Sequence, residues 1–366
     1  MAFTPLKHIY DNNFYELFFS DLKKIIPKLD ITHYTNLIYN DNWEQRELKD
    51  RMKQTTAILN EILSKDFTIA CTQIKQAVAI IDLKQFKYGS LAFMFFPDYI
   101  ATYGLDHFEL SMKTLKDITH FTSSEFAVRP FIIQNQTKAL ALMEKWSLDE
   151  NFHIRRLASE GCRPKLPWAV ALKELQKDAS SILPILHNLK NDPEDYVYRS
   201  VANNLNDISK DHPKLVLDIA NHWKGYSKNT DWLVKHSLRT LLKKGDQTAM
   251  KLFGYGDAKN IHTSSFYLLD KEVAIGAYLN FEFYLHNKVK AVNRLEYAIF
   301  FLIKNGKWSK KVFKISEKEY AKDSETFISK RHSFKLISTR TYYKGIHKVS
   351  LIVNGIEKDI QEFKLV

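Results

Sequence analysis

Several residue types and patterns are scarce in this chain of 366 residues, and each scarcity excludes a class of protein. Only two cysteines are present, Cys71 and Cys162, which are too few and too far apart for a disulfide framework or a structural zinc site. The longest apolar runs, such as Ala298 to Ile303, have about six residues, whereas a membrane-spanning helix needs about 20. Residues 1–7 lack the basic segment and the apolar stretch of a signal peptide. We therefore expect a cytoplasmic protein that is neither secreted nor membrane-spanning.

Motifs that mark several common enzyme classes are missing as well. There is no H-E-x-x-H metalloprotease motif, no Walker loop for phosphate and no G-x-S-x-G serine-hydrolase turn. The segment Gly254-Tyr255-Gly256 lacks the third glycine and the preceding strand that dinucleotide binding requires. The thirteen histidines are scattered along the chain. We therefore expect no metal, nucleotide or other cofactor.

The composition is that of a folded protein with a surplus of positive charge. Hydrophobic residues make up 45% of the chain and charged residues 26%, and its length exceeds what one core usually holds, so two compact units are expected. The 54 Lys and Arg residues outnumber the 42 Asp and Glu residues and give a net charge of +12. This surplus indicates a polyanionic partner, with nucleic acid as the first candidate. Residues 257–366 hold 20 basic and 12 acidic side chains, a net charge of +8, so most of the surplus lies there.

The first 256 residues carry the periodicity of packed helices. Apolar residues recur at steps of three and four, as in Ile58, Leu59, Ile62 and Leu63. A weak repeat is also present, in which an aliphatic residue stands two places before a basic one. Its units begin at Ile154, Val197 and Val234, at offsets of 43 and 37 residues. Such a repeat is typical of the paired antiparallel helices of HEAT-like proteins and predicts an α-solenoid.

From Val273 onward the pattern changes to alternating and β-rich runs. Asn305-Gly306 and Asn354-Gly355 stand where hairpin turns are expected, and residues 334–341 have the composition of a strand. A β domain of about 100 residues has the size of an immunoglobulin-like sandwich. The predicted fold class is therefore multidomain α+β. An α-solenoid of HEAT-like repeats is expected over residues 1–256, a linker over 257–264 and an all-β immunoglobulin-like sandwich over 265–366.

Carboxylates, arginines and tryptophans concentrate between residues 123 and 239, and the first segment that carries them has two interpretations. Thr122-Ser123-Ser124-Glu125 has the form of a capping box, in which Glu125 only reaches back to a backbone amide. Pro130 would then lie inside the new helix, where it has no donor, and this weakens the capping interpretation. Glu125 therefore stays open as a functional carboxylate.

The second segment runs from Ile154 to Trp168. Arg156 and Glu160 can form an ordinary pair one turn apart on a solvated helix face, with Gly161 ending the helix and Trp168 packing as a loop anchor. A stretch with several basic residues, a carboxylate and an indole also suits a site that holds phosphate and stabilises a cation. The residues alone favour the structural interpretation.

The basic residues at equivalent places of the three repeats are Arg156, Arg199 and His236. They can join neighbouring repeats as an Asp–Arg ladder, or they can line up on one face and follow a phosphate backbone. We expect mixed use.

Some strings in the first 256 residues are long and unusual enough to indicate a family. They are Phe95-Phe96-Pro97-Asp98-Tyr99, Ser123 to Phe131, Arg155 to Pro164, Arg199 to Asp207 and Leu238 to Gly245. These strings resemble the bacterial DNA alkylation repair glycosylases of the AlkC type. Members of that branch with a C-terminal immunoglobulin-like domain also match the β segment in place and size. The resemblance implies base excision repair, in which the N-glycosidic bond of cationic alkylated bases is hydrolysed. The implied substrate is chiefly 3-methyladenine, with 3-methylcytosine as a further candidate.

The resemblance also implies roles for individual residues. Glu125 and Glu160 match catalytic carboxylates, Trp168 matches an aromatic wall of the site, and Asp207 is a weaker catalytic candidate. Contacts to DNA are implied for six residues: Arg156, Arg163, Arg199, Asn203, His236 and Arg239. The implied partner is double-stranded DNA that contains alkylated bases, and we expect the protein to be a monomer.

The chemistry of a cationic base agrees with this set of residues. Such a base leaves as a neutral molecule without being protonated, and its charge moves to the deoxyribose as an oxocarbenium ion. The enzyme then needs a fixed negative charge and an oriented water. Two alternatives stay open. One is a non-catalytic HEAT-repeat DNA-binding or scaffold protein, whose carboxylates are only caps and ladder partners, and the other is a hydrolase of free nucleosides.

Overall fold

The computed structural model describes residues 5–337 and 339–366. Its contacts divide the chain into two compact units, Met1–His212 with Trp223–Ser237 and Pro213–His222 with Leu238–Val366. The predicted boundaries at residues 256 and 265 stay a prediction. The prediction that no signal peptide is present rests partly on residues 1–4, which lie outside the described range. Ser338 of the predicted strand 334–341 also lies outside that range.

Helices occupy most of the chain before residue 253. The described residues form sixteen α-helices: α1 (Asn12–Ile25), α2 (Ile31–Ile38), α3 (Leu48–Ile62), α4 (Phe67–Ile80), α5 (Phe95–Tyr103), α6 (Phe108–Ile118), α7 (Val128–Gln134), α8 (Gln136–Trp146), α9 (Phe152–Gly161), α10 (Lys173–Lys177), α11 (Leu183–Asn188), α12 (Asp195–Ile208), α13 (Pro213–Trp223), α14 (Lys228–Ser237), α15 (Arg239–Lys244) and α16 (Gln247–Leu252). Short 3₁₀ segments lie at Leu6–Ile9, Leu83–Gln85, Gly89–Phe93, Ser180–Ile182 and Ala258–Asn260. None of the helices within the described ranges combines the length and the apolar character that a membrane crossing requires.

Local sequence determines where several of these helices begin. Side chains of Asp11, Asp30, Asp66, Asn135 and Asn151 each accept a hydrogen bond from an amide in the first turn that follows. Such caps satisfy amide groups that have no partner inside the helix. The starts of α1, α2, α4, α8 and α9 are therefore encoded locally.

The core of the first unit is aromatic near the N-terminus. Phe14 and Phe18 of α1 lie with their ring centroids 6.3 and 5.1 Å from that of Phe95 on α5, and all three rings are buried. Further along the chain, α12 packs against both α9 and α14. The three repeat units begin on these three helices, so the repeat marks helices that stack in sequence order.

The second unit contains a β-sandwich. Its strands are β1 (Ile261–Leu268), β2 (Glu272–Val273), β3 (Tyr278–Asn287), β4 (Ala291–Leu302), β5 (Trp308–Tyr320), β6 (Ser324–Ser333), β7 (Gly345–Val353) and β8 (Ile356–Leu365). The order is β1-β3-β6 in one sheet and β2-β8-β7-β4-β5 in the other. All pairs are antiparallel except β2 with β8. Alternate residues such as Phe281 of β3 and Tyr297 of β4 meet between the sheets, with ring centroids 5.2 Å apart.

The hairpin turns of this unit confirm one sequence prediction, and its strands correct another. Asn305-Gly306 joins β4 to β5, and Asn354-Gly355 joins β7 to β8 with positive φ at both residues, as short hairpin turns require. The strand predicted at 334–341 is wrong for its described residues, which form only an isolated bridge between Ile337 and Arg340. Phe334 is buried in the core of the sandwich, whereas the other apolar side chains of this segment, those of Leu336 and Ile337, are exposed.

Candidate active site

Three elements bring the predicted carboxylates together: the turn before α7, the end of α9 and one face of α12. Arg156, Glu160 and Arg163 follow one another at steps of four and three residues and therefore share a side of α9 and its end. Ser200 and Asp207 share a face of α12 for the same reason. Because α9 packs against α12, these two polar faces meet.

Arg156 lies between the two predicted catalytic carboxylates. Its Nη1 donates to Glu125 at 2.9 Å and to the hydroxyl of Ser123 at 2.6 Å. Its Nη2 lies 3.6 Å from Glu160. The guanidinium also lies 4.6 Å from the centroid of the Tyr196 ring, in a cation–π contact. The charged side chains of this group, those of Glu125, Arg156 and Glu160, are more than four-fifths buried.

The ion pairs continue past Glu160. Arg163 donates from Nη1 to Glu160 at 2.6 Å and from Nε to Asp207 at 2.9 Å, and Lys210 donates to the other oxygen of Asp207 at 2.8 Å. Ser200 donates to the second oxygen of Glu160 at 2.6 Å. We call the resulting set of alternating charges the charge chain, and its members are Glu125, Arg156, Glu160, Arg163, Asp207 and Lys210.

The charge chain keeps its arginines ionised. Burial lowers the pKa of Arg156, but the negative charges of Glu125 and Glu160 outweigh burial and leave the pKa above its ordinary value. Burial likewise opposes the charge of Arg163, and its carboxylate neighbours again raise the pKa overall. Within residues 5–337 and 339–366, no cluster of His, Cys, Asp or Glu side chains could hold a metal ion. The carboxylates of the charge chain are instead bound by the protein's own cations.

A cleft of about 260 Å³ opens beside Glu125. The residues that line it are Ser90, Leu91, Met94, Thr122, Ser123, Glu125, Phe126 and Trp168. Glu125 is the one charged residue among them. The cleft therefore contains a single carboxylate, which is held by its ion pair with Arg156. Hydroxyl groups and apolar or aromatic side chains surround it.

Trp168 lies on an exposed and strained turn. Its side chain is 62% exposed, and its φ of 66° lies in the left-handed region that favours glycine. Ala169 donates its amide to the carbonyl of Leu166, and Pro167 stands at the second position, as in a type II turn. A non-glycine residue in this conformation costs about 1–3 kcal/mol, so the surroundings must hold it. Trp168 does not pack as a loop anchor, contrary to the structural interpretation of the sequence.

The structural interpretations of the two glutamates also fail. No helix begins after Thr122, since α7 starts at Val128, and Pro130 lies in its first turn, where no amide donor is needed. Glu125 therefore caps no helix. Arg156 and Glu160 do form a pair one turn apart, but their side chains are 12% and 7% exposed and do not lie on a solvated face.

The predicted DNA contacts fall into different surroundings. Arg156 and Arg163 belong to the charge chain. Arg199 is half exposed, pairs with Asp195 and lies over the ring of Trp232 on α14. The Trp232 ring stacks on that of His236, with 4.7 Å between the ring centroids. Asn203 lies partly buried on α12, and Arg239 begins α15 in the second unit. The DNA contacts of all six residues stay predictions.

A ladder between repeats is present, one residue away from its predicted place. Arg155 donates from Nε and Nη2 to the two oxygens of Asp192, at 2.6 and 3.1 Å. Asp192 precedes α12, so this bidentate pair joins two successive repeats. Arg156, for which the sequence left both a ladder role and a phosphate role open, belongs to the charge chain instead.

Sequence reasoning missed several residues of the site. Ser200 and Tyr196 lie on α12, a full repeat away from the residues they contact, and Lys49 donates to the carbonyl of Trp168 from α3. Only the recurrence of polar residues at steps of four and three on α12 could have indicated Ser200. Nothing in the local sequence marks Lys49.

Family models match both parts of the chain. Residues 75–241 match the model described as "DNA alkylation repair enzyme", and residues 262–366 match "Uncharacterised protein YhaZ, C-terminal Ig-like domain". The chain belongs to the AlkC-type family of DNA alkylation repair enzymes that carry a C-terminal immunoglobulin-like domain. The predicted family is confirmed, and so is the fold class of a helical region followed by an immunoglobulin-like β domain.

Two relatives match the chain over nearly its whole length. The protein YhaZ of Bacillus subtilis (strain 168) is 41% identical over 362 residues, which cover 99% of each chain. The alkylpurine DNA glycosylase AlkC of Pseudomonas fluorescens is 31% identical, with a TM-score of 0.93 over 99% of this chain and 100% of that chain. AlkC was solved bound to DNA that contains an abasic site analogue.

Proposed function

We propose that the protein is a monofunctional DNA glycosylase of base excision repair, which hydrolyses the N-glycosidic bond of cationic alkylated bases. The proposed substrate is chiefly 3-methyladenine, with 3-methylcytosine as a further candidate. The observation that carries this proposal is the position of Glu125, the single charged residue of the cleft beside Trp168, held by Arg156 at 2.9 Å. The similarity to AlkC, an alkylpurine DNA glycosylase, supports it.

Glu125 supplies the negative charge that the reaction needs. As the bond to the cationic base breaks, positive charge develops on the deoxyribose, and a carboxylate already fixed in place stabilises it without reorganising. The same carboxylate orients the water that attacks the sugar. The exposed indole of Trp168 offers its negative face to the cationic base.

Glu160 and Asp207 act on Glu125 indirectly, through the arginines of the charge chain. Glu160 is buried and shares Arg156 with Glu125, so Arg156 neutralises the charge of Glu125 only in part. Asp207 in turn shares Arg163 with Glu160. Both carboxylates thereby make the electrostatic potential at Glu125 more negative than it would be in an isolated Glu–Arg pair. This is our proposed reason for their predicted catalytic importance.

The proposed partner is double-stranded DNA with alkylated bases, and the protein is proposed to act on it as a cytoplasmic monomer. HEAT-like repeats over residues 1–256 would carry the site, with Arg199, Asn203, His236 and Arg239 on phosphate or sugar. The surplus charge of residues 257–366 supports a role of the β domain, over residues 265–366, in holding the phosphate backbone.

Release of free 3-methyladenine from methylated duplex DNA tests the function. The experiment compares the wild type with Glu125→Gln, Glu160→Gln and a control, Glu144→Gln, which alters an exposed residue of α8. We expect Glu125→Gln to lower the single-turnover rate by about 100-fold or more, as for loss of one preorganised group, and the control to retain full rate. Full rates for both Glu125→Gln and Glu160→Gln would refute the site.

The same assay separates the two other functions. A wild type that releases no base, beside an active reference glycosylase, would favour a DNA-binding scaffold. A nucleoside hydrolase would turn over free methylated nucleosides and would show no salt-dependent affinity for DNA.

A further inference from the structure

Arg129 is a buried cation whose partners are all backbone carbonyls. It is 0% exposed, and it donates from Nε to Val170 at 2.7 Å and from Nη1 to Gly161 and Arg163 at 3.0 and 2.8 Å. The ion pairs found among the described residues do not include it. Burial lowers its pKa to about 10. A charge buried among neutral partners opposes folding, so an apolar residue would fill the space at lower cost.

The three carbonyls lie at the two ends of one loop. Gly161 and Arg163 are at the end of α9, and Val170 is beyond the turn that carries Trp168. One rigid guanidinium therefore ties both ends of the segment 162–169 together. An arginine suits this task because its donors have a fixed planar arrangement.

A second cation holds the same loop from another helix. Lys49 on α3 donates to the carbonyl of Trp168 and lies 5.7 Å from the centroid of the Phe126 ring in the cleft. Trp168 keeps its left-handed backbone between these two attachments. Without them, the turn is free to relax to the negative φ that a tryptophan prefers, and the indole then leaves the cleft.

We infer that Arg129 is a positioning residue, which fixes the loop 162–169 so that the indole of Trp168 lines the cleft beside Glu125. Lys49 assists from the solvent side. The consequence for base release rests on the proposed function, whereas the placement of the indole does not. Arg129 touches neither the cleft nor its carboxylate, so it acts only through the loop.

The test uses the full chain with 5-fluorotryptophan at its six tryptophans. The ¹⁹F resonance of Trp168 is assigned with Trp168→Phe. Arg129→Lys keeps the charge but loses the fork of donors, and Lys49→Gln removes the outer attachment without altering the core. Lys53→Gln is the matched control, because Lys53 is exposed one turn further along α3. Each variant is also made in a Trp168→Ala background.

We expect Arg129→Lys and Lys49→Gln to shift or broaden the Trp168 resonance, and Lys53→Gln to leave it unchanged. The kcat/KM for base release should fall by about tenfold or more in Arg129→Lys, because the displaced indole no longer binds the cationic base. In the Trp168→Ala background the same change should cost less than about twofold, because the residue acts through an indole that is no longer there.

An unchanged Trp168 resonance in Arg129→Lys would overturn the inference, and so would an equal loss of rate in both backgrounds. If Arg129→Lys does not fold, Arg129→Gln takes its place and is judged by the same two results, because Lys49→Gln tests only the outer attachment of the loop. A wild type that releases no base, with the resonance still moved in the variants, would refute the proposed function and support the placement of the loop.

Discussion

Ser200 donates its hydroxyl to one oxygen of the buried Glu160 carboxylate at 2.6 Å, while Arg163 binds the other oxygen at the same distance. The two donors come from different repeats, because Ser200 lies on α12 and Arg163 follows α9. The orientation of Glu160 therefore depends on how two successive repeats pack.

Removing this hydroxyl should affect both stability and base release. Ser200→Ala leaves a buried carboxylate oxygen without its donor, which should lower the free energy of unfolding by about 1–3 kcal/mol. Urea unfolding and single-turnover release measure the two effects. The control is Ser209→Ala, which loses an equally buried hydroxyl that binds only the nearby carbonyl of Asn206. Equal behaviour of the two variants would contradict the role given to Ser200.

The neighbouring residues Arg155 and Arg156 should separate stability from activity. Arg155→Met leaves Asp192 buried without its partner and should lower the free energy of unfolding by about 3 kcal/mol, with little change in release by the folded protein. Arg156→Met leaves Glu125 without its cation, whereas Glu160 keeps Arg163, and the variant should slow release as well. Denaturation curves and release rates at a temperature where both variants are folded give the comparison. Slower release in the folded Arg155→Met protein would count against a purely structural ladder.

Two hairpin glycines should tolerate alanine differently. Gly306 and Gly355 have nearly equal φ values, 77° and 78°, but a Cβ at Gly306 would enter open space, whereas one at Gly355 would lie 2.5 Å from the Cα of Gly245. Gly306→Ala should cost about 1 kcal/mol for its backbone conformation. Gly355→Ala should cost about 1–3 kcal/mol more, because the clash is with backbone. Thermal and urea unfolding of the full chain would show this difference, and equal losses would mean that the close approach of Gly245 is unimportant.

The stability of the β domain should fall in mild acid. His332 is enclosed by aromatic rings and shares a hydrogen bond with Tyr297, and burial, assisted by the charge of Arg340, lowers its pKa to about 4. The unfolded state, with a pKa of about 6.5, binds the proton first, so the stabilisation is complete above that pH and about 3 kcal/mol is lost as the pH falls toward 4. Urea unfolding between pH 7.5 and 4.5 measures the slope. His332→Gln should flatten it only in part, because burial also lowers the pKa of His347. An unchanged slope in the variant would rule out His332 as its source.

Lysines on the β5 edge should contribute to DNA affinity through charge alone. Lys311 and Lys318 are exposed on this outer strand of the five-stranded sheet. Replacing both by Gln should lower the slope of log affinity against log salt by about 1 for each phosphate that a lysine no longer neutralises. Fluorescence anisotropy with an unmodified duplex measures the slope, and Lys23→Gln with Lys28→Gln in the first unit is the control. An equal change in both proteins would assign the effect to overall charge.

Features encoded by neighbouring residues could be predicted from the sequence. The two Asn-Gly turns and the change from helical to β periodicity belong to this group, because each depends on residues a few positions apart. The family strings implied catalytic roles for Glu125, Glu160 and Trp168, although the residues alone favoured structural roles for all three. What the sequence does not contain is the direction of a side chain across a packed interface.

The ladder arginine shows this limit clearly. Arg155 and Arg156 are adjacent and chemically identical, and only the rotation of α9 against α12 decides that the first meets Asp192 and the second meets Glu125. Ser200 and Lys49 were missed for the same reason, since both reach the site from other helices. The strand expected at 334–341 failed because β-type residues such as Ile337 are exposed there and pair with no neighbouring strand.

Because the cleft has a single carboxylate, the position of that carboxylate decides whether it strengthens substrate binding or accelerates bond breakage. A cationic lesion carries the same total charge before and during bond breakage, and the charge only moves from the base ring to the sugar. A carboxylate equally far from both would tighten binding without accelerating the reaction. Under the proposed function, Glu125 must therefore face the sugar and Trp168 the base. Loss of the carboxylate would then lower kcat, whereas loss of the indole would raise KM.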